Sequence, residues 1–170
     1  SFADQIEFER FTIDNGLSQN TVYEVFQDSR GYIWMGTQGG LDRYNGYEFK
    51  KYEHESTDST TIIKGWIYSI NEDEDGIIWI GTQDGNFGWF DPYEEVAGEI
   101  DLYKNHPKFE RPLRIDKILF HKDNIYLATI GSGLCRYNRT DGSTIWYMED
   151  STASHYIKER VFNDVFLLSE

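Results

Sequence analysis

Gly31-Tyr-Ile-Trp-Met-Gly-Thr-Gln-Gly-Gly40 returns further along the chain as Gly76-Ile-Ile-Trp-Ile-Gly-Thr-Gln-Asp-Gly85. Trp34 to Trp79 is 45 residues, and so is Gly36 to Gly81. A spacing that holds across several positions is a repeat, and a repeat sets the architecture before any local reading does. Each copy reads as one strand with a turn at either end. Asp28-Ser-Arg-Gly31 and Asp73-Glu-Asp-Gly76 are the turns in front. Behind the strands, Gln38-Gly-Gly40 and Gln83-Asp-Gly85 lead into Leu41-Asp-Arg-Tyr44 and Phe87-Gly-Trp-Phe90.

Working outward completes the unit. Val22-Tyr-Glu-Val-Phe26 precedes the first copy, and Ile67-Tyr-Ser-Ile70 stands 45 residues on, before the second. Asn45-Gly46 is a strong hairpin signal, and Tyr47 to Tyr52 alternates as a fourth strand. In the second unit Asp91-Pro92 turns the chain, Tyr93 to Gly98 reads as a loop, and a strand around Ile100 to Tyr103 closes the unit. The third unit is more degenerate. It keeps Ile115-Asp-Lys-Ile118, Ile125-Tyr-Leu-Ala-Thr129, Leu134-Cys-Arg-Tyr137 and Thr144-Ile-Trp-Tyr147, but Tyr126 replaces the tryptophan and Ala128 the glycine.

Units of four short strands, with turns every 8 to 12 residues or so, define the blades of a β-propeller. The fold class is therefore all-β. Residues 22–52, 67–103 and 115–147 form three four-stranded blades, with 6–12 the last strand of a preceding blade and 162–170 the first strand of the next. Residues 1–170 are thus part of one propeller domain. Because propellers close with about 4 to 8 blades, this is an open arc, with exposed ends that favour association and marginal stability. Gly31, Trp34, Gly36, Gly76, Trp79, Gly81 and Tyr126 occupy repeat positions and read as parts of the fold.

Composition narrows function. Of 170 residues, 39% are hydrophobic and 16% aromatic, so apolar volume sits in rings, which suits strands. The net charge of −14 repels phosphate backbones and anionic lipid, which disfavours nucleic-acid binding by this segment. No apolar run reaches the roughly 18 residues of a membrane span, so no membrane insertion is expected. The start lacks the basic and apolar regions of a signal peptide, which a removed signal would also explain. One cysteine, Cys135, permits no internal disulfide.

Asn71-Glu-Asp-Glu-Asp-Gly76 imitates the first half of a calcium loop, but Thr82 stands where a bidentate Glu belongs, so it reads as a solvated turn. His54, His106, His121 and His155 lack metal-ligand spacing. No metal, cofactor or catalytic residue is expected, and no nucleophile elbow or phosphate-cradling loop is present. Asn138-Arg-Thr140 matches a glycosylation sequon.

The stretches from Asn15-Gly-Leu-Ser18 through Ile33-Trp-Met-Gly-Thr37 and Gly40-Leu-Asp-Arg-Tyr44, and again from Ile78 to Pro92, resemble the two-component regulator propeller repeat. The resemblance implies the periplasmic sensor region of a hybrid two-component histidine kinase, of the kind common in Bacteroidetes. It implies seven-bladed propellers that perceive ligands, frequently glycan breakdown products, and a parent kinase in the inner membrane controlling transcription by phosphorelay. It also implies a partner sensor subunit in a dimer. Residues 7–18 resemble the start of such a sensor after signal removal. The alternative is a non-enzymatic propeller scaffold in another signalling or secreted protein.

A ligand would meet the rim shared by the loops leading into each inner strand and the loops joining second and third strands. Gln38, Lys64, Trp66, Gln83, Arg114 and Arg160 are the candidates there. Trp66 could stack on a sugar face, but aromatics so often fill such cores that packing beside Ile67 between blades is the favoured reading, and the repeated position of Gln38 and Gln83 favours a structural role. Loops that differ between blades, around 64–66, 111–114 and 155–160, are where function is expected.

Overall fold

A computed structural model describes residues 8–58, 60–104 and 114–147. Strands form where side chains alternate between two buried faces, and turns form at the Asp/Gly signals. Blade 1 contains β1 (Val22–Gln27), β2 (Ile33–Thr37), β3 (Leu41–Tyr44) and β4 (Phe49–Tyr52). Blade 2 contains β5 (Ile67–Glu72), β6 (Ile78–Thr82), β7 (Phe87–Asp91) and β8 (Val96–Ile100). Blade 3 contains β9 (Arg114–His121), β10 (Asn124–Ile130), β11 (Gly133–Asn138) and β12 (Thr144–Tyr147). Each blade is a four-stranded antiparallel meander in sequence order. Neighbouring blades meet through β1 and β5, and through β5 and β9, so the first strand of each blade is the inner one.

The core lies between blades. Trp34 and Leu41 of blade 1 pack against Ile67, Ile70, Ile78, Ile80 and Phe90 of blade 2. Trp79 and Phe87 of blade 2 pack against Ile115, Ile118, Ile125 and Leu127 of blade 3. Glycine permits the close approach. A Cβ on Gly36 would lie 2.7 Å from Ile67 Cγ2 and 2.8 Å from the Ile67 carbonyl oxygen. One on Gly81 would lie 2.6 Å from Ile115 Cγ2. Polar bonds cross the same seams: Ser69 Oγ donates to the Ile115 carbonyl at 3.0 Å, and Asn71 Nδ2 to the Ile118 carbonyl at 2.9 Å.

Each of the first two blades carries a polar device at its β1–β2 or β5–β6 turn. One oxygen of Asp28 accepts from the N–H groups of Arg30 and Tyr32, which closes the turn. Its other oxygen accepts from Trp34 Nε1 at 2.9 Å. Asp73 repeats this with Asp75, Ile77 and Trp79 Nε1, the last at 2.8 Å. One carboxylate thus fixes both a turn and the ring that fills the seam. In blade 3 the β9–β10 turn is tighter, with His121 opposite Asn124, and Lys122 takes a φ of 54°.

Three expectations change. Residues 8–12, the described part of the expected first strand, form no ladder. A strand exists only through a pairing partner, and none is present among the described residues. Instead Thr12 caps a single turn of 3-10 helix, Ile13–Asn15, and the Phe11 ring packs 5.0 Å from Tyr44 and 5.4 Å from Phe49. The outer strand of blade 2 is Val96–Ile100, not the stretch around 100–103. Asp91 Oδ1 accepts from the Tyr93 and Glu94 N–H groups, so the chain reverses at once and Asp91 pairs with Val96. Leu102 then follows in a turn, fully buried in the seam with blade 3. Likewise β4 starts at Phe49 because Asn45 Oδ1 holds the Tyr47 and Glu48 N–H groups in the turn. The expected strand at 162–170 lies outside the described residues.

Gly36→Ala is expected to destabilise the chain by about 1–3 kcal/mol, since Ile67 backbone as well as side chain blocks the new methyl. Urea unfolding followed by tryptophan fluorescence would show the midpoint fall. Asp28→Ala strands the buried Trp34 N–H and two turn donors, at a cost of about 2–3 kcal/mol. Glu48→Ala, at an exposed side chain, should shift the same unfolding curve by under about 0.5 kcal/mol.

Candidate functional site

The loop before β5 and the loop between β6 and β7 share one rim. Gln83 N donates to the Trp66 carbonyl at 2.9 Å, and Asn86 Nδ2 donates to the Lys64 carbonyl at 3.0 Å. In blade 1, the Ser18 and Thr37 hydroxyls are 2.7 Å apart, and Ser18 N and Oγ both donate to Asp42. Between blades 1 and 2 this rim opens into a groove of about 340 Å³. Gln38, Lys64 and Trp66 line it together, joined by Glu53, His54 and Asp84. Gly39, Gly40 and Gly65 expose backbone in its wall.

The other expected residues lie elsewhere. Gln83 reaches the Trp66 loop through its main chain, and its buried side-chain Oε1 has no hydrogen-bond partner among the described residues. Arg114 opens β9, where it forms a two-point ion pair with Asp116. Arg160, and residues 111–113 and 155–159 of the variable loops, lie outside the described residues.

What the sequence reading did not find is an aromatic stack at the inner strands. Register breaks between Val22 and Glu24 in β1, and between Ile67 and Ser69 in β5, leave Tyr23 and Tyr68 outside the ladders. Such bulges re-aim a side chain. Tyr23 lies almost parallel to Trp66, at 8° and 5.8 Å, and to Tyr68, at 19° and 4.2 Å. The Arg114 guanidinium lies 4.6 Å from the centre of the Tyr68 ring. A continuous stack therefore runs Trp66, Tyr23, Tyr68, Arg114, drawing on all three blades. Blade 3 has the same break between Ala128 and Thr129, and Asp116 occupies the bulge position there. The sequence signal was available: Tyr23 and Tyr68 share one repeat position, 45 residues apart.

Electrostatics separates structural from accessible groups. Asp73 Oδ2 receives Trp79 Nε1 and, at 3.0 Å, Arg139 Nη1 from blade 3, which occupies the calcium-like turn internally. Among the described residues no cluster has metal-holding geometry. His54 Nδ1 lies 2.9 Å from the Ile62 carbonyl. A carbonyl only accepts, so Nδ1 carries a proton, and Nε2 of the neutral ring is an acceptor. Gln38, Glu53, Lys64 and Asp84 are exposed, and their side chains form no hydrogen bond or ion pair among the described residues. Burial raises the Asp42 carboxyl above its ordinary 3.8, overriding the lowering effects of its Ser18 bonds and of Lys51.

The profile of the two component regulator propeller family matches residues 16–39 and 61–84, the segments that contain β1–β2 and β5–β6 with their leading loops. The chain is thus a β-propeller segment, two stretches of which match the two component regulator propeller repeat. Over 55 residues it is 44% identical to a protein named Histidine kinase P4 of Formosa agariphila, a match covering 32% of this chain and 4% of that protein. In fold it is similar to the extracellular domain of the hybrid two component system BT3049 of B. thetaiotaomicron, with TM-score 0.73 and 22% identity. That match covers 84% of this chain and 20% of the other. The extracellular domain of BT4673 from the same organism matches with TM-score 0.72 and 21% identity, over 92% of this chain and 20% of the other. The chain therefore spans only a small part of each of these relatives. Among the described residues, no helix is long and apolar enough to cross a membrane.

Asp42 ties the loop before β1 to β3, and its protonation state affects that tie. Because burial raises its folded pKa, its contribution to stability is complete below pH 3.8 and is lost as pH rises from there through the higher folded value. Asp42→Asn cannot ionise. Its unfolding midpoint, measured relative to the parent chain in urea, should improve as pH rises from about 4 through the raised folded value and level off above it.

Proposed function

We propose that this chain is an extracytoplasmic ligand-sensing segment of a hybrid two-component sensor histidine kinase. The carrying observation is the pair of segments that match the two component regulator propeller repeat, together with 44% identity over 55 residues to Histidine kinase P4. The fold likeness to extracellular domains of hybrid two component systems supports the same placement. On this reading the parent protein sits in the inner membrane and pairs with a second sensor subunit. Its propeller rim perceives a small ligand, a glycan fragment among the candidates, and the kinase passes a phosphoryl group onward to control transcription. This segment contributes recognition, and the kinase chemistry belongs to other parts of the parent.

Two measurements on the intact parent protein test this. In membrane vesicles of known orientation, added protease should cut this segment only from the periplasmic side. Autophosphorylation from labelled ATP should change when oligosaccharides are supplied on that side. A parent with no phosphate incorporation, or with this segment accessible from the cytoplasmic side, would overturn the proposal.

A further inference from the structure

We infer that the groove between blades 1 and 2 binds one ring of an uncharged polyhydroxylated ligand, with Trp66 as the platform and Tyr23 as the residue that positions it. The inference rests on the ligand-sensing reading above and assigns the place and chemistry of recognition.

The platform comes first. Trp66 lines the groove, and Tyr23 from the neighbouring blade lies parallel against it at 5.8 Å. Tyr23 packs against the indole, and Trp66 still contributes surface to the groove wall, where a ligand can reach it. Tyr23 also stacks on Tyr68, and the Arg114 guanidinium lies over the Tyr68 ring. The bulges at 22–24 and 67–69 release these two tyrosines from the ladders, so the stack is built into the inner strands. A platform held this way needs little ordering when a ligand arrives. A half-buried indole in the groove wall, packed against a neighbouring ring, suits the C–H face of a saturated ring.

Around it stand both donors and acceptors. Glu53 and Asp84 accept, Lys64 donates, and Gln38 does both. His54, with its Nδ1 proton committed to Ile62, offers Nε2 as an acceptor. The side chains of Gln38, Glu53, Lys64 and Asp84 have no partner among the described residues. Alternating hydroxyl groups can donate to the carboxylates and accept from Lys64 and Gln38 at once. Charge argues against the other classes. Two carboxylates facing one ammonium, in a chain of net charge −14, disfavour an anion. A cation would meet Lys64 and a single aromatic face, where cation recognition uses several.

Saturation-transfer NMR and titration calorimetry on the whole chain test this with named probes. They are neutral tetrasaccharides of glucan, xylan, mannan and galactan, oligomers of uronic acids, and tetramethylammonium. At least one neutral tetrasaccharide should bind, with transfer strongest to a single ring. Trp66→Ala should weaken it about tenfold or more. Tyr23→Ala should weaken it too, and Tyr23→Phe should restore it, since stacking needs the ring and not the hydroxyl. Asp84→Asn, at an exposed position, should reduce affinity without moving the unfolding midpoint. Preference for the uronic acids or tetramethylammonium, binding indifferent to Trp66→Ala, or no neutral binder in the panel overturns the inference. The two readings fail separately. If the intact parent still answers its ligand with Trp66→Ala, sensing stands and this site falls. If the chain binds a neutral saccharide through Trp66 but the parent shows no kinase response, the site stands and sensing falls.

Discussion

Everything in this chain depends on how closely one blade approaches the next. At Gly36 the backbone of β2 comes so near Ile67 that a methyl group has no room, and at Gly81 the same is true against Ile115. That distance lets Trp34 and Trp79 lie in the seams, touching two sheets at once. A single four-stranded sheet with large residues on both faces leaves one face wet. Stacking in series removes both faces of the middle blade from water, and burial of apolar area is the dominant favourable contribution to folding. Blade 2, between two neighbours, accordingly has every residue of its second strand buried, whereas β1 of blade 1 keeps Val25 exposed.

The polar devices follow from the same closeness. Burying an indole requires an acceptor for its N–H. Asp28 and Asp73 supply it while closing the turns that set strand register. A carboxylate drawn into a seam then needs compensation, and Asp73 obtains it from Arg139 of the following blade. The acidic run 71–76 is explained by this arrangement. Its Asn71 reaches the Ile118 carbonyl, Glu72 accepts from Ser29 of the preceding blade, and Asp73 holds the tryptophan. Three successive polar residues join three blades, and the resemblance to a cation loop is incidental to that work.

The architecture was legible in the sequence because a propeller repeats its demands. Trp34 and Trp79, Gly36 and Gly81, and the Asp–Gly turns each meet one requirement in successive blades, and periodicity exposes them. Two boundaries were not legible, for a local reason each. Phe8 to Thr12 alternates as a strand does, but alternation describes a face and not a pairing partner, and Phe11 uses its face to cover Tyr44 and Phe49. In blade 2, Asp91 turns the chain through its own side chain, so the residues after Pro92 begin the outer strand at once. Of the rim residues, Gln38, Lys64 and Trp66 converge on one groove because the loop topology brings them there. Glu53, His54 and Asp84 complete it from loops whose course depends on tertiary contacts, such as His54 on the Ile62 carbonyl, that no local pattern encodes.

The aromatic stack shows where a repeat stops being only a scaffold. A bulge at the start of each inner strand is common to all three blades, so the fold supplies one re-aimed side chain per blade at the same height. What occupies that position is free to vary, because the side chain leaves the ladder and does not enter a seam. Blades 1 and 2 place tyrosines there, and blade 3 places Asp116, which binds Arg114 and turns its guanidinium over Tyr68. The position thus has fixed geometry and open chemistry. Residues that every blade must keep define the arc. Residues at the bulges and on the adjoining loops can change without cost to the seams, and the distinguishing chemistry of this chain is concentrated there.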